Sequence, residues 1–125
     1  MIDVENTIMK YENTFTHDNH VYSLDKVRVL VRKEPIVDVD ISELLWVLKY
    51  DKPSESRIAK AKFRHPLLIA KYRGKWTVVD GLHRLEKYRR QGYKKIPCKV
   101  VSPEFLNTAR IMEKGIFRGR QRFKI

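Results

Sequence analysis

Val78-Val79-Asp80-Gly81-Leu82-His83-Arg84 is the stretch on which the fold turns. β-Branched residues run into Asp-Gly, and a helical pattern follows from Leu82 to about Gln91, with Gly92 where a C′ glycine belongs. Upstream, Leu67-Leu-Ile-Ala-Lys-Tyr72 and Lys75-Trp-Thr-Val-Val79 flank Arg73-Gly74, the pattern of a β-hairpin with glycine in its turn. Downstream, Ile96-Pro97-Cys98-Lys99-Val100-Val101 reads as another strand. A glycine between strand and helix lets the backbone approach a ligand. The helix aims its first N–H groups and the positive end of its dipole at the same point, which makes an anion site. Gly81 and Leu82 supply backbone there, Arg84 is placed to fork onto phosphate oxygens, and His83 to donate or accept beside it. Asp80 is placed to hold a hydrated Mg²⁺ or to orient a hydroxyl. The plainer alternative makes Asp80 an N-cap and His83 and Arg84 solvated first-turn residues.

Outward from this centre, Val21 to Leu24 and Val27 to Val31 read as strands, and Ile36 to Val39 as a further extended piece after Pro35. Asp40-Ile-Ser-Glu43 has capping-box spacing, and Ile41, Leu44, Leu45 and Leu48 then predict an amphipathic helix over 41–50. Ser54 caps a second helix through about Phe63, with Arg57, Lys60, Lys62 and Arg64 as its basic face. Ser102-Pro103-Glu104 opens a helix to Lys114, stopped by Gly115. The sum is an α/β (α+β) fold, a small mixed β-sheet flanked by helices. Its expected parts are a flexible acidic arm over 1–20 with a short strand around Thr14 to Thr16, a domain over 21–115, and a basic tail over 116–125.

At 125 residues the chain is the size of one domain, and 42% hydrophobic residues with two Trp, six Tyr and five Phe give it a core, so wholesale disorder is excluded. The lone Cys98 excludes an intramolecular disulfide and a multi-cysteine zinc site, fits a reducing compartment, and reads as a small core residue. His17-Asp18-Asn19-His20 matches no ligand spacing. No apolar run approaches the roughly 18–20 residues of a membrane span, and no secretory h-region opens the chain, so a soluble, cytoplasmic protein is expected. The formal charge of +12 favours an anionic partner. Asp3, Glu5, Glu12 and Asp18 outweigh Lys10 in the arm, so the excess sits beyond it. Part crowds around the end of the Leu82 helix, as Lys87, Arg89, Arg90, Lys94 and Lys95. Helix-dipole stabilisation accounts for some of these, and a nucleic-acid surface for the remainder. The tail alternates Arg118, Arg120, Arg122 and Lys124 between Phe117 and Phe123, which suits a nucleic-acid backbone with base stacking or, equally, a solubilising terminus.

Residues 21–106 resemble the ParB/sulfiredoxin superfamily: VYSLDKV, ISELLWVL, the proline-led strand HPLLIA, the DGLHR turn opening a helix, and IPCKVV. The resemblance implies that Gly81, His83 and Arg84 cradle the phosphates of a nucleotide such as CTP, ATP or ADP with Mg²⁺. Leu82 stands where sulfiredoxins carry their catalytic cysteine and where partition proteins carry a glutamate, so sulfinic-acid reduction and CTP switching are not expected. The helix-turn-helix and dimerisation domains of partition proteins do not follow within these 125 residues, and the Asp-Gly-x-His-Arg form is similar to free-standing members.

Three functions follow from these features. The first is a nucleic-acid-associated module binding nucleotide or DNA phosphates at DGLHR, as an accessory protein of a phage or plasmid. The alternative is an enzyme, a Mg²⁺-dependent ParB-like nuclease or small-molecule kinase, with Asp80 positioning metal or nucleophile and His83 as acid/base. The third is a basic adaptor for an acidic host protein.

Overall fold

A computed structural model describes residues 13–113. The chain divides into two compact units, one comprising residues 33–102 and the other the segments on either side.

The 33–102 unit carries a four-stranded mixed sheet in the order β3 (Val37–Asp40), β6 (Lys95–Val100), β4 (Leu67–Tyr72), β5 (Lys75–Asp80). The β3–β6 and β4–β5 pairs are antiparallel and β4–β6 is parallel. A parallel pair needs a crossover, and helix α3 (Leu82–Arg90) supplies it between β5 and β6. Arg73 and Gly74, both at positive φ, make the two-residue turn of the β4–β5 hairpin. Leu67 to Ala70 are all buried, as expected of a strand covered on both faces. Leu67 and Ile69 join Ile96 and Cys98, Leu85 and Tyr88 of α3, and Ile41, Leu44 and Val47 in one core. Cys98 lies wholly inside it, and burial pushes its thiol up to about 12, so it is inert packing.

Helix α3 ends as its sequence predicts. Gly92 has φ +82°, Gly92 N–H donates to Arg89 O, and Tyr93 N–H donates to Tyr88 O, which is a Schellman closure. The Tyr88 and Tyr93 rings meet edge-on at 4.9 Å, and Phe63 stacks on Tyr88 at 4.0 Å.

Two expectations fail in this unit. The helix predicted over 41–50 is a pair of 3-10 segments, Ile41–Glu43 and Leu45–Lys49. Asp40 accepts from Ser42 N–H at 3.0 Å and Ser42 Oγ–H at 2.8 Å, a tighter turn than a capping box. The buried positions Ile41, Leu44 and Val47 recur every third residue, the period of a 3-10 turn. The second helix, α2, is also shorter than read, Glu55–Lys60. Ser54 caps it through Arg57 N–H, and Ala61 is already extended.

The second unit holds a three-stranded antiparallel sheet, β1 (Thr14–His17), β2 (His20–Ser23) and β7 (Arg110–Glu113), with helices α1 (Leu24–Leu30) and α4 (Pro103–Ala109) packed on each other. His17-Asp18-Asn19-His20 is its first hairpin turn, with Asp18 and Asn19 both at positive φ, where Asp and Asn are best tolerated. Phe15 and Tyr22 face each other across the pair and stack at 5.1 Å. The strand predicted over Val27–Val31 is instead part of α1. Ser23 Oγ accepts from Lys26 N–H at 3.1 Å, and Val27 and Val31 turn inward together, so cap and period override β-branched propensity. The helix predicted to Lys114 stops at Ala109, where the chain turns to pair with β2.

Gly81 carries the tightest constraint in the sheet unit. Its φ is +121°, and an added Cβ would stand 2.7 Å from Leu67 Cγ. Gly81→Ala combines backbone strain with a clash in the core and should cost about 2–4 kcal/mol by denaturant unfolding. In a Leu67→Ala background the same change should cost measurably less, and a full cost there would show that strain alone makes glycine necessary.

Glu86 supplies a second check. It is buried, 6% exposed, and accepts from Arg89 Nε at 2.7 Å and Nη2 at 2.6 Å and from Arg90 Nε at 2.7 Å. The Arg89 hydrogen bonds, aided by Arg90, hold its carboxyl at about 2 against the opposing effect of burial. The folded value lies below the unfolded one, so this stabilisation is complete above about pH 4.5 and disappears as the pH falls toward 2. Because both arginines are half exposed, it amounts to about 1–3 kcal/mol. Glu86→Gln should flatten the acid limb of a stability–pH profile by that amount, and an unaltered limb would deny Glu86 the role.

Candidate functional site

The end of β5 and the start of α3 form one wall of a cleft of about 250 Å³. Asp80, Gly81, His83 and Arg84 line it from that side, and Arg57, Lys60, Ala61 and Lys62 line it from α2 and the residues after it. The first hydrogen bond within α3 is Leu85 N–H to Gly81 O at 2.8 Å. Leu82, His83 and Arg84 precede it, so helix geometry gives their N–H groups no carbonyl within α3. No side chain caps this end, which sets aside the reading of Asp80 as N-cap.

The structure assigns the DGLHR residues more distinct duties than their order suggests. Gly81 is required by its φ and by Leu67, whose side chain fills the space a Cβ would need. The side chain of Leu82 packs on the core, which leaves only its backbone for a ligand. Arg84 is largely buried, its side chain 14% exposed. Its Nη1 donates to the His65 carbonyl and, at 3.4 Å, to that of Pro66, while Nη2 lies 3.7 Å from Asp80 Oδ2. Arg84 therefore ties the helix start to the entry of β4 and orients Asp80 while facing the cleft. Burial lowers the His83 pKa from its ordinary 6.5, the Arg57 cation lowers it further, and Asp51 opposes both. The shift favours the neutral imidazole, the form able to accept a proton.

Arg57, Lys60 and Lys62 are the residues that sequence reasoning left out of the site. The basic face of the second helix signalled them, but nothing in the sequence says which cleft that face borders. Among the described residues no carboxylate pairs with these three side chains. The cations read from sequence as a nucleic-acid surface are placed differently. Lys87 Nζ donates to Ala61 O at 2.7 Å and Ala59 O at 3.2 Å, closing the end of α2. Arg89 and Arg90 grip Glu86, and Arg90 also forks onto Glu55 at 2.7 and 2.9 Å. Lys94 and Lys95 are exposed at the entry to β6. Arg118, Arg120, Arg122 and Lys124 lie outside the described residues, as do most of the acidic arm and the basic tail.

No cluster of three or more His, Cys, Asp or Glu side chains able to hold a metal forms among the described residues. A single carboxylate facing a cationic cleft still fits Mg²⁺, which is held through one or two carboxylates together with substrate phosphates. Among the described residues no helix is long and apolar enough to cross a membrane.

No family model matches the chain. Over 68 residues it is 32% identical to the ATP-dependent L-serine kinase SbnI of Staphylococcus aureus, a match covering 54% of this chain and 27% of the relative, so the chain spans about a quarter of that protein. Among solved structures it is similar to C-terminally truncated SbnI from Staphylococcus aureus, with 24% identity, TM-score 0.46, and coverage of 55% of this chain and 31% of the other. Sulfiredoxin from Arabidopsis thaliana gives 16% identity, TM-score 0.44, and coverage of 59% and 94%. A free serine kinase in complex with AMP gives 25% identity, TM-score 0.38, and coverage of 54% and 31%.

The electrostatics of the cleft are open to direct test. Arg57→Gln removes a cation that lowers the His83 pKa, so the imidazole midpoint followed by NMR should rise toward 6.5. Inorganic phosphate added to the unmodified protein should raise it as well, because a nearby anion favours imidazolium. A midpoint that moves in neither experiment would place His83 outside the field of the cleft.

Proposed function

We propose that this chain carries the nucleotide-using site of a phosphotransferase acting on a small hydroxyl compound. One observation carries the reading: Asp80 and His83 line the same cleft as Arg84 and three cations that have no carboxylate partner among the described residues. The kinship with an ATP-dependent serine kinase supports it. Cations and unpaired helix N–H groups suit the charge spread over a transferring phosphoryl group, for which positioning and electrostatics supply most of the catalysis.

In the proposed step the substrate hydroxyl oxygen forms a bond to the terminal phosphorus of the nucleotide. The bond from that phosphorus to its bridging oxygen breaks, and the nucleotide, shorter by one phosphate, leaves with the bonding electrons. The hydroxyl proton passes to His83. Asp80 is the residue that would hold Mg²⁺, which when bound neutralises phosphate charge. Arg84 keeps Asp80 and the start of α3 in register with β4. The nucleic-acid module ranks below this reading, since Lys87, Arg89 and Arg90 are engaged within the fold.

The test is turnover with Mg²⁺ and ATP, ADP or CTP against small hydroxyl compounds, free L-serine first, with phosphorylated product measured directly. Asp80→Ala should abolish product, and His83→Ala should lower kcat about 10²-fold or more, the usual contribution of a positioned acid/base group. Absence of product from every pairing, or full activity in Asp80→Ala, would overturn the assignment.

A further inference from the structure

We infer that the cleft recognises the polyphosphate of its nucleotide and leaves the base unread, with Arg57, Lys60 and Lys62 forming a second phosphate subsite beside the one at Gly81–Arg84. This inference rests on the phosphotransferase reading and adds to it a ligand class and three binding residues.

Size comes first. At about 250 Å³ the cleft is smaller than the roughly 300–1,000 Å³ of pockets that enclose a drug-sized organic ligand, so it holds part of a nucleotide. Its lining decides which part. No Phe, Tyr, Trp or large aliphatic side chain is among the described residues that form it, and its one ring, the His83 imidazole, is assigned to the substrate proton in the phosphotransferase reading, so the lining offers a base no dedicated platform. Four of its eight lining residues are cationic, and Asp80 is its single carboxylate.

Charge distribution separates the two subsites. Arg84 is committed to the His65 and Pro66 carbonyls and to Asp80, so it contributes a fixed and partly neutralised charge. Arg57, Lys60 and Lys62 are exposed and have no carboxylate partner among the described residues. Other cations of the same unit behave differently: Lys87, Arg89 and Arg90 are each occupied by a carbonyl or carboxylate. Three exposed cations lining one side of a small cleft, without a carboxylate partner among the described residues, keep their charge available to an entering anion. A chain of phosphates satisfies both walls at once.

The test measures affinity of the full chain by calorimetry for MgATP, MgGTP, MgCTP, tripolyphosphate and adenosine. The three nucleotides should agree within about threefold, tripolyphosphate should compete with them, and adenosine should be silent. Lys60→Glu combined with Lys62→Glu should weaken tripolyphosphate at least tenfold, the scale of losing charge-assisted contacts, with the thermal melt confirming a folded chain. A base preference above tenfold with no tripolyphosphate binding would overturn the inference and leave the phosphotransferase reading standing. Undiminished tripolyphosphate affinity in the double variant would overturn the second subsite alone. Failure of every polyphosphate and nucleotide to bind would overturn both readings.

Discussion

The contact between Gly81 and Leu67 sets the position of everything in the candidate site. A backbone at φ +121° with a leucine side chain where a Cβ would stand admits only glycine. It allows β5 to pass directly into α3 with the helix start pressed against the first residue of β4. Arg84 then reaches the carbonyls at the entry to that strand, and Asp80 falls within range of its guanidinium. The glycine of DGLHR is therefore a packing requirement whose consequence is the geometry of the candidate site.

The second constraint is the attachment of α2 to α3. Lys87 closes the C-terminal end of α2, Arg90 holds Glu55 at its N-terminal end, and Glu86 fixes Arg90 in turn. A six-residue helix has little stability alone, and these contacts replace the hydrogen bonds its length cannot supply. They also sort the positive charge of the region. Cations on the outer turns of α3 serve the fold, while Arg57, Lys60 and Lys62 line the cleft. Net charge alone could not separate the two groups.

Much of the fold was legible because its signals are local. The Arg73-Gly74 turn, the Gly92 stop and the Ser54 cap each rest on one residue type meeting one backbone demand. The misreadings share a cause. Val27 to Val31 and Ile41 to Leu48 contain residues compatible with more than one period, and burial against neighbours selects among them. Residues 110–113 become a strand because β2 offers an edge to pair with, a fact invisible at position 110. In the site, Asp80, Gly81, His83 and Arg84 were legible through adjacency. Arg57, Lys60 and Lys62 lie some twenty residues away, and their membership depends on side chains from α3 that grip α2.

The sequence by itself determined the strand–glycine–helix junction, the chemical identity of its polar groups and the inert core role of Cys98. These follow from backbone sterics and hydrophobic burial, which act over a few residues. Tertiary structure alone decided that Leu82 belongs to the core, that Arg84 is a tie as well as a cation, and which of many basic side chains face the cleft. Electrostatic partnership is set by distance in space, and residues far apart in the chain acquire that distance only when it folds.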